Sequence, residues 1–263
     1  MQDLKVTIIQ TRLFWESIGE NLSLFENKFS EIIEPSDLIV LPEMFSTAFT
    51  MKSAQLAEEM NGKTMQWMAH YAKEKNCVIT GSIIIKENEK YYNRLIWMRA
   101  DGTYECYDKR HLFRMANENE HYSPGNKKII VELNGWKICP LICYDLRFPI
   151  WSRNKQEYDV LLYVANWPER RRIPWSTLLA ARAIENYCYT IGLNRIGTDG
   201  NNIPFSGDSA AYDFYGACLS KIKPNENGIE TITISYSKLQ EFKKSFPVWM
   251  DADEFETQAK AHV

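Results

Sequence analysis

The chain has 263 residues, with 31 lysines and arginines against 34 aspartates and glutamates, a formal net charge of −3. No global field of either sign exists to recruit nucleic acid or an anionic membrane surface, so the expected partner is a small molecule. No apolar run reaches the ~18 residues a membrane span requires, and Met1-Gln2-Asp3-Leu4-Lys5 enters a strand pattern with no apolar leader, so a cytoplasmic protein is expected.

In chain order, Leu4 to Ile9 reads as a strand, Gly19 to Ile33 as a helix with apolar positions at Leu22, Phe25, Phe29 and Ile32, and Asp37 to Leu41 as a second strand. Thr64 to Lys75 reads as a helix and Cys77 to Ile85 as a strand. Tyr91 to Ala100 pairs with Thr103 to Tyr107 around Asp101-Gly102, and Ile129 to Leu133 with Lys137 to Ile142 around Asn134-Gly135, two hairpins. The pattern then predicts a short helix near Ile150 to Asn154, a strand Asp159 to Val164, a helix Pro174 to Asn186 with proline in its first turn, and a strand Tyr187 to Leu193. Ala211 to Phe214 and Ala217 to Ile222 flank Tyr215-Gly216, and Ile229 to Ser235 supplies the last strand. No linker, low-complexity tract or repeat divides the chain, so residues 1–263 read as one α/β domain with a tail from about residue 247. So many strands fit most simply into two sheets, each covered by helices.

Three of these strands end in reactive groups. The apolar run Ile138-Cys139-Pro140-Leu141-Ile142 breaks into the polar turn Cys143-Tyr144-Asp145, which places an exposed cysteine at a strand end. Its thiolate can attack a substrate if a base removes the proton and a donor stabilises the oxyanion. Asp37 to Leu41 ends in Pro42-Glu43-Met44-Phe45, and Thr103 to Tyr107 in Asp108-Lys109-Arg110-His111. Reactive groups in α/β sheets gather at the carboxyl ends of strands, so Glu43, Lys109 and Cys143 are expected on one rim. The other cysteines, Cys77, Cys106, Cys139, Cys188 and Cys218, read as reduced thiols, mostly in the core. His70, His111, His121 and His262 have no partner at metal-binding spacing, so neither a metal nor a cofactor is expected. A serine hydrolase is disfavoured because no Gly-x-Ser-x-Gly elbow occurs.

Leu41-Pro42-Glu43-Met44-Phe45, Asp108-Lys109-Arg110-His111-Leu112-Phe113 and Leu141-Ile142-Cys143-Tyr144-Asp145-Leu146-Arg147-Phe148-Pro149 together resemble, in order and approximate spacing, the three motifs of the nitrilase superfamily of carbon–nitrogen hydrolases. The resemblance runs from Lys5 to about Phe246. It implies a four-layer α-β-β-α sandwich, paired through its helices into a homodimer or a larger homo-oligomer. It also implies Glu43 as general base, Lys109 as transition-state stabiliser and Cys143 as nucleophile.

Amide hydrolysis needs these residue types, because the thiol must lose its proton as it attacks and the leaving nitrogen must gain one. Glu43 can do both in turn, while Lys109 and the backbone N–H of Tyr144 face the oxyanion. A second carboxylate is implied seven residues before a glycine; counting back from Gly125 gives Glu118, with Glu120 left open. Asn166 and Trp167 end a strand on the same expected rim and are read as pocket lining. Arg182 to Asn186 resembles a helix motif of the family, in which Arg182 and Glu185 form an i, i+3 scaffold pair, and the resemblance implies His111 as a brace for the Lys109 loop.

Within the superfamily these segments look most like the bacterial omega-amidase branch, which implies hydrolysis of the side-chain amide of 2-oxoglutaramate or 2-oxosuccinamate. A substrate of that kind carries a remote carboxylate, which a guanidinium would meet. Arg114, counted among the site residues, and Arg170, Arg171 and Arg172 are the candidates. Other readings are a different amidase or nitrilase of the superfamily, an acyl transferase that captures the thioester with an amine, and a non-catalytic binding member.

Overall fold

The computed structural model describes residues 2–253. Period-two burial sets its layers, because successive side chains on a strand point to opposite faces. Leu4, Val6 and Ile8 of β1 (Leu4–Gln10) join one core, while Ile9 joins another. Leu38 and Val40 of β2 (Leu38–Val40) separate from Ile39 in the same way. So does Val78 from Ile79, Ile83 and Ile85 in β3 (Val78–Glu87), and so do Leu95 and Trp97 from Ile96 and Met98 in β4 (Lys90–Met98). With β5 (Tyr104–Asp108) and β13 (Gly228–Ile234) these strands form a six-stranded sheet ordered β13-β1-β2-β3-β4-β5, in which β1, β2 and β3 are parallel.

One face of this sheet is covered by α1 (Ile18–Ser30) and α3 (Lys63–Lys75), which bury Leu22, Phe25 and Phe29 against Met65, Trp67 and Met68. Phe29 and Trp67 stack with centroids 5.4 Å apart. Each such fully buried apolar side chain stabilises the fold by ~1.5–3 kcal/mol. The helix predicted to Ile33 stops at Ser30, and Ile33 is fully in solvent, off the apolar stripe.

The other face packs on a second sheet ordered β12-β9-β8-β7-β6, comprising β6 (Val131–Leu133), β7 (Trp136–Ile142), β8 (Val160–Ala165), β9 (Tyr189–Asn194) and β12 (Ala210–Tyr212), with β7, β8 and β9 parallel. Trp175 and Leu179 of α6 (Arg172–Glu185), with Leu239 and Phe242 of α7 (Tyr236–Ser245), close the outer side. Gly192 lets α6 approach, since a Cβ there would lie 2.4 Å from Leu179 Cδ1. The result is the four-layer α-β-β-α sandwich expected from the sequence.

Short helices α2 (Ser53–Leu56), α4 (Glu118–His121) and α5 (Pro149–Ser152) punctuate the connecting loops. Ala217 to Ile222 is not a strand. Only Cys218 bridges to Tyr212, and the N–H groups of Lys221 and Ile222 donate to the Glu230 carboxylate instead of to a neighbouring strand. A hairpin of β10 (Ile196–Thr198) and β11 (Pro204–Ser206), and helix α7, are additions to the predicted elements. Val248 and Trp249 of the expected tail pack against the core, with Trp249 5.6 Å from Tyr187, while the tail beyond Asp253, His262 included, lies outside the described residues. Among the described residues no helix is long and apolar enough to cross a membrane.

Candidate active site

The carboxyl ends of β2, β5, β7 and β8 meet at one edge of the sandwich, and each delivers a polar side chain there. Glu43 follows β2, Lys109 follows β5, Cys143 follows β7 and Asn166 follows β8. Lys109 Nζ lies 2.8 Å from Glu43 Oε1 and 3.0 Å from both carboxylate oxygens of Glu118. Glu43 and Glu118 are completely buried and Lys109 nearly so. Glu120, two residues on, is exposed, so the structure brings Glu118 and not Glu120 to the cluster. Glu118 turns inward because Asn117 before it adopts a left-handed conformation, φ +57°, and its Oε2 then accepts the Phe113 N–H at 2.5 Å.

Cys143 is only 8 % exposed, more enclosed than a strand-end thiol was expected to be. Its φ of +44° lies in the left-handed region, which costs a non-glycine residue on the order of 1–3 kcal/mol and is held by surrounding contacts. Asp145 supplies much of that restraint. One of its oxygens accepts the Ile142 N–H at 3.1 Å and the Tyr107 hydroxyl at 2.7 Å; the other accepts the His111 N–H at 3.0 Å and faces His111 Nδ1 at 2.8 Å. The His111 ring stacks on Phe148 at 3.8 Å. His111 therefore ties the Lys109 loop to the Cys143 turn, as the family resemblance implied. Arg182 pairs with Glu185 at 2.7 Å and donates to the Leu146 carbonyl at 2.7 Å, anchoring the same turn to α6.

The charges in the cluster depend on one another. Burial disfavours the Lys109 ammonium, but Glu118 and Glu43 outweigh it and raise its pKa above the ordinary lysine value. Burial raises the Glu118 pKa, opposed first by the Lys109 charge. The Cys143 thiol is pushed well above its usual range by burial, then by the neighbouring Glu43 charge, with Lys109 opposing. The protonated thiol donates to the Asn166 carbonyl at 3.8 Å, beside the Glu43 carboxylate and the Lys109 ammonium.

Cys143, Lys109, Tyr144, Asn166 and Trp167 all line one cavity of about 470 Å³. The Asn166 N–H donates to Glu43 Oε2 at 2.8 Å and its side-chain amide donates to the Glu43 carbonyl, so Asn166 positions Glu43 as well as lining the pocket. Arg114 is not brought to this cavity. It is exposed and lines a separate depression, because the turn Arg114–Ala116 leaves it on the outside while Glu118 points in. Arg172 is turned to Asp208 at 2.7 Å, whereas Arg170 and Arg171 line the cavity. Among the described residues no group of three or more His, Cys, Asp or Glu could hold a metal.

Three further residues hold the site. Asn93 donates to Glu43 Oε1 at 2.8 Å and to Glu118 Oε1 at 3.3 Å; a polar residue inside the strand pattern Tyr91 to Ala100 was the available signal. Asn194, at the end of β9, accepts the Trp167 N–H at 2.7 Å and donates to the Trp167 carbonyl at 2.9 Å; its place just past the predicted strand Tyr187 to Leu193 was the available signal. Phe49, whose ring lies 5.1 Å from Lys109 Nζ, carried no local signal.

The carbon–nitrogen hydrolase family pattern matches residues 5–244, and the chain, with its four-layer sandwich, belongs to that family, within the nitrilase superfamily. It is 44 % identical over 257 residues to omega-amidase YafV of Escherichia coli (strain K12), covering 97 % of this chain and 99 % of that one. It is 31 % identical to 2-oxoglutaramate amidase of Bacillus subtilis (strain 168), covering 94 % and 96 %. Among solved structures it resembles XC1258 from Xanthomonas campestris, a CN-hydrolase superfamily protein with an arsenic adduct in the active site, with a TM-score of 0.95 and 39 % identity over 98 % of this chain and all of that one.

Proposed function

We propose that this chain is an omega-amidase that hydrolyses the terminal amide of a short keto-acid monoamide, 2-oxoglutaramate or 2-oxosuccinamate, through a thioester on Cys143. The observation that carries the chemistry is that Cys143 and Lys109 line one cavity while the Glu43 carboxylate lies 2.8 Å from the Lys109 ammonium. The near full-length likeness to omega-amidase YafV supports the substrate class.

Glu43 takes the thiol proton as sulfur attacks the amide carbon, and the proton moves only as the bond forms because the free thiolate is disfavoured by burial. Lys109, with its pKa raised, stays charged and cannot shuttle protons near neutrality. It stabilises the oxyanion together with the Tyr144 N–H, while Glu118 holds the ammonium in place. Glu43 passes its proton to the leaving nitrogen, ammonia departs, and water activated by Glu43 cleaves the thioester. The same reading takes the chain as a single catalytic domain with a short C-terminal extension, working in the cytoplasm as a homodimer or larger homo-oligomer and needing no cofactor.

An ammonia-release screen over 2-oxoglutaramate, 2-oxosuccinamate, glutamine, asparagine and benzonitrile tests the reading. The keto-acid amides should be hydrolysed with kcat/KM well above glutamine and asparagine, with benzonitrile negligible. Comparable efficiency on glutamine or nitriles would leave only the broader carbon–nitrogen hydrolase assignment, and an acyl product formed only with added amine would indicate transfer.

A further inference from the structure

The cavity beside Cys143 carries more positive charge than bond cleavage uses. Beyond Lys109 it is lined by Arg147, Arg170 and Arg171, with Asp199 as the opposing carboxylate. Arg147 lies over the Trp167 ring at 5.2 Å, and Arg170 is exposed. Arg171 is different. Its Nη1 is buried without any hydrogen-bond partner, a rare and costly condition for a charged donor. Its Nη2 reaches only the Met115 thioether sulfur at 3.6 Å, a weak acceptor that a carboxylate oxygen would displace.

The group is nonetheless held in place. Its guanidinium carbon sits 5.1 Å from the Phe113 ring centroid, and its carbonyl accepts the Trp167 indole N–H at 2.7 Å. Its charge is disfavoured first by burial, then by Arg170 and Arg147, which lowers its pKa. The charge of an arriving anion would offset all three.

We propose that Arg171 is the carboxylate-binding residue of the pocket, its Nη1 and Nη2 receiving the anionic end of a short amide whose other end lies against Cys143. This rests on the omega-amidase reading and names the group that selects the substrate. An end-on pair of parallel N–H···O bonds fixes the carboxylate, and the apolar Phe113 and Trp167 surfaces enclose the chain between the two ends.

Steady-state kinetics of Arg171→Met, Arg171→Lys and Arg114→Met on 2-oxoglutaramate and on neutral butyramide test it, with 2-oxoglutarate as competitive inhibitor of butyramide hydrolysis. Arg171→Met should raise KM for 2-oxoglutaramate on the order of 100-fold, the worth of a lost charge-assisted pair, with kcat reduced far less. The inhibition constant of 2-oxoglutarate should rise in parallel, the butyramide kcat/KM should change much less, Arg171→Lys should recover part of the loss, and Arg114→Met, outside the cavity, should shift KM little. Equal losses on both amides, an unmoved 2-oxoglutarate inhibition constant, or a larger effect from Arg114→Met would overturn the assignment. A wild-type protein that hydrolyses butyramide and ignores 2-oxoglutaramate would refute the omega-amidase reading instead, and the inhibition constants would still decide whether Arg171 binds a carboxylate.

Discussion

Glu118→Gln removes one charge from the buried cluster while preserving shape. The Glu118 carboxylate faces Lys109 through both oxygens, the Phe113 N–H through Oε2 and the Asn93 amide through Oε1. A glutamine offers one acceptor oxygen, so in either orientation its NH₂ is turned toward a donor, and either Phe113 N–H or Asn93 Nδ2 is left without its acceptor. An unsatisfied buried donor costs ~1–3 kcal/mol, and the lost charge on the Lys109 bond adds a comparable amount. Folding stability should therefore fall by about 3 kcal/mol. Lys109, no longer held on that side, should swing toward Glu43 and leave the oxyanion, and a stabilisation of ~3–4 kcal/mol lost there lowers kcat by on the order of 100- to 1,000-fold. Urea unfolding and ammonia release at saturating 2-oxoglutaramate read the two effects separately. Glu120→Gln is the control, and as an exposed substitution it should shift stability by no more than ~0.5 kcal/mol. A Glu118→Gln protein with near wild-type kcat and an unmoved urea midpoint, or a larger loss from Glu120→Gln, would refute the reasoning.

Lys109→Met leaves Glu43 and Glu118 buried together without their common cation, so stability should fall by ~3–5 kcal/mol and turnover should be lost, as checked by urea unfolding and ammonia release. Burial pushes the Cys77, Cys106 and Cys139 thiols up to about 12 from a usual 9.0. The unfolded chain then holds fewer protons than the folded one above pH 9, so stability is intact below that pH and falls as pH rises toward 12, by ~1.4 kcal/mol per pH unit for each thiol. Urea midpoints at pH 8 and pH 10 should show the decline, with Cys139→Ala shallower; a midpoint that rises with pH contradicts it. At Gly125 a Cβ would lie 2.1 Å from the Asp108 carbonyl oxygen, so Gly125→Ala should displace the Lys109 segment and cut activity, while an active variant of normal stability would show that this contact does not position Lys109.

The layers were legible because alternation along β1 to β4 divides the apolar residues between two faces, and the strand ends were legible because an apolar run stopping at Glu43 or Cys143 marks a rim. Counting back from Gly125 favoured Glu118, but the count alone could not show that Asn117 turns Glu118 inward and leaves Arg114 outside. Ala217 to Ile222 has a strand's composition, yet the Glu230 carboxylate takes the Lys221 and Ile222 amides, a competition that only the fold reveals. Helix α7 left a readable trace in Leu239 and Phe242, three residues apart behind Ser235. The roles of Asn93 and Phe49 depend on contacts with Glu43, Lys109 and Glu118, made when distant segments meet, so local pattern could not assign them.

The central claim is covalent catalysis at Cys143 with Glu43 as its base. Wild-type protein mixed with 2-oxoglutaramate, quenched in acid during turnover and examined by intact-protein and peptide mass spectrometry should carry one 2-oxoglutaryl group, on the peptide containing Cys143. Glu43→Gln, slow in both attack and deacylation, should show no rapid build-up of that species, and Cys143→Ala should be folded and free of it. Ammonia released with no adduct at any quench time, or an adduct on Cys77, Cys106, Cys139, Cys188 or Cys218, would contradict the account.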